Sequence, residues 1–166
     1  MYLLIRTSNY QSIRMYKFIY KYKINILRFF YCLILSIANG YFFNYLNDKY
    51  IHYSSNENGL SEFSKLVKFI IIVIIAPLVE TLIFNLFPNE ILKKFGINNN
   101  FLLVIIPSIF FSLFHLYHPI YSLMAFIGGL IMNNYYLYNQ KKCANAFLMV
   151  ALLHSSYNLY GYLFVN

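Results

Sequence analysis

The chain is 166 residues long, 60% hydrophobic and 11% charged, with a mean hydropathy of +0.56, a balance that excludes an ordinary water-soluble globular domain. At about 20 apolar residues per crossing, the length accommodates about five membrane-spanning helices with short connections and leaves nothing for a separate aqueous domain. Thirteen Lys and Arg against five Asp and Glu, a net charge of +8, read beside long apolar runs as cytoplasmic loops and headgroup contacts, and not as a nucleic-acid surface.

In chain order, residues 1–25 form a basic interfacial amino-terminal segment. Arg14, Lys17, Lys21 and the following Arg28 fall on one helical stripe, with Tyr10, Tyr16, Tyr20 and Tyr22 beside it. Residues 26–46 are the first predicted transmembrane helix. A polar loop from Asn47 to about Lys65 follows, and residues 62–165 hold four further apolar runs: from Leu66 to Pro88, Phe101 to Tyr117, Pro119 to Tyr138, and Cys143 to Val165. Pro77 removes a backbone donor in the middle of the second run, so a kink or break is expected just before Glu80. The expected fold is all-α, a polytopic transmembrane helix bundle of about five spans. Alternating spans place the basic amino terminus, Lys93 with Lys94, and Lys141 with Lys142 on one side, which the excess of positive charge marks as cytoplasmic.

Ionisable groups inside spans are costly and usually face the bundle interior. Glu80 is the only acid within an apolar run, His115 closes Phe111-Ser112-Leu113-Phe114-His115, and His154 lies four residues before Asn158, hence on the same helix face. Counting helical rise from the basic boundary puts Glu80, His115, His154 and Asn158 at about 20, 21, 17 and 22 Å, one common level. His118, before Pro119, reads as an interfacial residue, and Gly128-Gly129 as a site of close helix packing.

The run Pro77 to Asn85, then Phe111 to His115, then His154 to Asn158 resembles the three motifs of the CPBP family of intramembrane proteases, which includes CAAX prenyl endopeptidases and bacteriocin-processing, Abi-like enzymes. Those motifs are E-E-x-x-x-R, F-x-x-x-H and H-x-x-x-N, in this order on three membrane helices. Glu80, His115, His154 and Asn158 match, whereas Thr81 and Asn85 stand where the family has its second Glu and its Arg.

The resemblance implies a catalytic bundle over 62–165 that hydrolyses peptide bonds of membrane-associated peptides, whether lipidated, CAAX-type or leader sequences. Glu80 with His115 would activate water, and His154 with Asn158 would donate to the oxyanion. No cofactor is favoured. Zinc is the alternative, held by Glu80, His115 and His154, and it leaves no carboxylate over as a base. The implied partners are the lipid bilayer and a peptide substrate, with no nucleic acid, and the implied location is a bacterial cell membrane as a multi-pass protein. The departures at Thr81 and Asn85 keep open a second reading, a non-catalytic membrane immunity factor against bacteriocin-like peptides.

Overall fold

The computed structural model describes residues 25–52, 63–142 and 145–165. The basic amino-terminal segment, most of the polar loop after the first span, and Cys143 lie outside the described residues. By compactness the chain divides into Met1–Tyr31 and Cys32–Asn166. Of the first unit the described residues, 25–31, are helical; the architecture below is that of the second.

Among the described residues the chain is all-α, with five helices: α1 (Asn25–Ile51), α2 (Lys65–Lys94), α3 (Asn100–Leu113), α4 (Pro119–Lys141) and α5 (Ala146–Phe164). Both α1 and α2 are long and apolar enough to cross a membrane, and α3 is a shorter apolar helix. Local chemistry sets the ends. Ser64, Asn99 and Asn145 accept bonds from the first-turn amides of α2, α3 and α5. Helix α2 stops where Gly96 takes φ +81°, with Gly96 and Ile97 donating back to Lys93 and Leu92 at 2.9 and 3.0 Å.

Of the expected kink or break before Glu80, a break does not occur. Instead α2 continues through two π-helical stretches, Ile70–Ile75 and Leu82–Leu86, each followed by an α segment with a proline in its first turn, Pro77 and Pro88. The wider π turn admits a pyrrolidine ring that would clash with the carbonyl four residues back in a regular α-helix. The third run also differs from expectation, because α3 ends at Leu113 and residues 114–117 form a turn. At its end the His115 amide bonds Ser112, three residues back, at 3.0 Å. His118 caps α4, its Nδ1 accepting from the amide of Ile120 at 3.3 Å, with Pro119 in the first turn.

The bundle buries polar side chains among apolar ones such as Leu103, Tyr135, Val150 and Leu153, and carries large apolar side chains on its outside. Thr81, Asn89, Ser108, Asn133 and Asn139 are fully buried, while Leu66, Phe101, Leu123, Leu152 and Phe164 are exposed. That pattern suits hydrocarbon, where apolar side chains need no burial and polar groups are held inside. Helices α3 and α4 clasp through Ser112 and Ser122, whose hydroxyls lie 2.9 Å apart and each reach the other's carbonyl. They touch where a Cβ on Gly129 would sit 3.1 Å from the Cα of Ser108. At the basic end Lys93 of α2 donates to Gln140 of α4, so the carboxyl ends of these two helices, with both Lys pairs, are neighbours.

Candidate active site

A cavity of about 180 Å³ opens between α1, α2, α4, α5 and the turn after α3. Glu80, His115, His154 and Asn158 all line it, together with Phe111, Ser36, Asn39, Tyr121 and Tyr157. Glu80 comes from the α segment between the two π stretches of α2, which turns its side chain toward α5. There its Oε2 lies 3.6 Å from Nε2 of His154, and the two side chains are 29% and 6% exposed. No hydrogen bond reaches the Glu80 carboxylate from the described residues, so its lone pairs face the cavity.

His115 belongs to the turn and not to a membrane helix as expected. Because its own amide has shifted to Ser112, the carbonyl of Phe111 is free of its usual helical donor. Nδ1 of His115 takes that place at 2.8 Å. A carbonyl can only accept, so Nδ1 carries the proton and Nε2 of the neutral ring keeps a lone pair. The ring is further held by Phe111, at 4.5 Å between centroids, and Phe111 in turn meets His154 edge-on at 6.2 Å. Asn158, one turn further along α5, donates from Nδ2 to the carbonyl of Ile72 at 2.9 Å. One amide hydrogen of Asn158 is therefore engaged and one remains.

Thr81 and Asn85, the positions that depart from the family pattern, lie deeper. Thr81 is fully buried with its hydroxyl unpartnered among the described residues. Asn85 donates to Oδ1 of Asn133 at 2.8 Å, and Asn133 donates to the carbonyl of Gly129 at 3.1 Å and to Ser108 at 3.3 Å. Asn89 adds a bond to the carbonyl of Asn85 at 2.9 Å. A neutral lattice across α2, α3 and α4 thus occupies the region next to Asn85, where a charged side chain would need an equally buried counter-ion.

Sequence reasoning missed Asn133, Ser108 and Asn89, and also the cavity residues Ser36 and Asn39. The usable signal is an amide or hydroxyl inside an apolar run, a criterion that singles out Asn133, Ser108, Ser36 and Asn39 as readily as it does Asn158, whereas Asn89 lies just past the run that ends at Pro88. A zinc ion would require three converging donors. Among the described residues no three His, Cys, Asp or Glu side chains gather into such a set.

Residues 62–160 match the family model described as type II CAAX prenyl endopeptidase Rce1-like. No curated protein and no solved structure matches the chain.

Proposed function

The chain belongs to the type II CAAX prenyl endopeptidase Rce1-like family, a family of integral membrane proteases, and we propose that it is an endopeptidase using Glu80, His115, His154 and Asn158 on membrane-associated peptides. In this reading a water sits between the Glu80 carboxylate and Nε2 of His115. Its oxygen bonds the scissile carbonyl carbon as its proton passes to Glu80. His154, from Nε2, and the remaining amide hydrogen of Asn158 donate to the oxyanion that forms. Collapse breaks the carbon–nitrogen bond as Glu80 returns the proton to the leaving amine, releasing an acid and an amine with Glu80 again ionised. His115 acts by holding the water, and its Nδ1–H bond to Phe111 keeps the accepting nitrogen toward the cavity.

The observation that most supports this is the state of Glu80. Its carboxylate lies in a membrane bundle with no hydrogen-bond donor among the described residues, on a cavity shared with two imidazoles. A helix-to-helix bonding role would leave those oxygens partnered. The test is reconstitution in vesicles with lipidated CAAX-type and leader-type peptides, reading the appearance of a new amino terminus. Cleavage that survives exhaustive chelation and vanishes in Glu80→Gln is the expected result. Cleavage restored only by zinc would transfer Glu80, His115 and His154 to a ligand role. Protection of cells from a membrane-active peptide that persists in Glu80→Gln would favour the immunity factor.

A further inference from the structure

Helix α5 donates a hydrogen bond into the backbone of α2 at the place where α2 lacks a donor of its own. In the π stretch Ile70–Ile75 the register runs five residues back, and the amide of Ala76 donates to the carbonyl of Ile71. Carried one step further, that register gives the carbonyl of Ile72 to residue 77, which is proline and has no N–H. The donor found there is Nδ2 of Asn158, at 2.9 Å. A carbonyl inside a membrane bundle that keeps no partner is costly, because neither lipid nor bulk water can supply one.

We infer that Asn158 is a positioning residue matched to Pro77: it supplies the hydrogen bond that Pro77 withholds from Ile72, and so sets α5 against α2 with His154 opposite Glu80. The placement follows from helical spacing. Glu80 lies about one turn after Pro77 on α2, and His154 one turn before Asn158 on α5, so the bond to Ile72 and the 3.6 Å approach of His154 to Glu80 brace the same pair of helices. The hydrogen that meets Ile72 is distinct from the one assigned to the oxyanion. The consequence for catalysis rests on the reading of Glu80 and His154 as reacting groups, whereas the pairing of Asn158 with Pro77 does not.

A double-mutant cycle on the full chain tests this, with Asn158→Leu, which keeps side-chain size without a donor, and Pro77→Ala, which gives Ile72 an intrahelical donor in either helical register. Two quantities are read: Tm in detergent, and kcat and KM for peptide cleavage in vesicles. With Pro77 present, Asn158→Leu should lower Tm by roughly 4 °C or more, and in the Pro77→Ala background by less than half as much. The loss in kcat should be about tenfold larger with Pro77 present than in the Pro77→Ala background, with KM little changed. Equal losses in both backgrounds overturn the inference. Coupling in Tm without coupling in kcat overturns the positioning role and leaves a brace only. If Asn158→Leu alone fails to fold, recovery of folded protein in the double variant supports the pairing, and failure there overturns it. Coupling in Tm while no variant, wild type included, cleaves any peptide would sustain the pairing and remove the protease reading.

Discussion

Two polar clusters lie side by side in this bundle and are bonded differently. In the lattice of Asn85, Asn89, Asn133 and Ser108 every amide nitrogen has a partner, with bonds of 2.8, 2.9 and 3.1 Å across or along α2, α3 and α4. In the cavity the Glu80 carboxylate has no donor among the described residues, and the approach of His154 is 3.6 Å, beyond hydrogen-bond length. Polar side chains inside a membrane bundle serve either as adhesive between helices or as reagents. What separates the two is which group goes unpartnered among the described residues: a neutral amide oxygen, Oδ1 of Asn89, in the lattice, and the ionisable carboxyl of Glu80 in the cavity.

Substitutions can break or sharpen that contrast. The largest expected effect is on rate: Glu80→Gln keeps the shape and removes the base, so cleavage should fall by about a hundredfold or more while thermal unfolding in detergent is unchanged. A Tm that dropped with the rate would place Glu80 among the adhesive residues. Next comes Asn133→Leu, which strands the amide of Asn85 and should cost about 1–3 kcal/mol of stability, read by unfolding in mixed micelles, with the folded fraction still cleaving at near the parent rate. Gly129→Ala drives a methyl against the backbone of Ser108 at 3.1 Å, and a loss of about 1–3 kcal/mol is expected as α3 and α4 are pushed apart. The smallest effect is at Thr81. Its buried hydroxyl has no partner among the described residues, so Thr81→Val should be neutral or stabilising by up to about 1 kcal/mol with activity retained. A hundredfold loss of cleavage in Thr81→Val would instead enrol that hydroxyl in the chemistry.

The all-α class was legible because hydropathy is summed over many residues, and a long apolar run has few alternatives in a bilayer. The four residues Glu80, His115, His154 and Asn158 were legible as motif positions, and all four line the cavity as polar groups that stand out against apolar neighbours. What escaped was set by bonding register and by contacts distant in sequence. Nothing in Ile70–Ile75 announces a π turn, because the choice between four and five residues back is made by Pro77 and by Asn158, 86 positions away along the chain. The early end of α3 has the same origin, since the ring of His115 competes with its own backbone for the carbonyl of Phe111. Asn133 lies inside the apolar run from Pro119 to Tyr138 without comment in the sequence, and its meaning appears only when Asn85 arrives from α2.

The family match begins at residue 62, yet Ser36 and Asn39 of α1 form part of the cavity wall, and Asn39 is anchored to α4 by a 2.9 Å bond to the carbonyl of Met124. The room in which a peptide would lie is therefore bounded by two stretches of chain with different constraints. A change in the bundle risks Glu80 and its neighbours, whereas a change at position 36 alters the wall and one at position 39 also removes the bond that ties α1 to α4. In the proposed reading, Ser36 and Asn39 help decide which peptide fits, while the reacting groups stay on α2, α5 and the turn after α3.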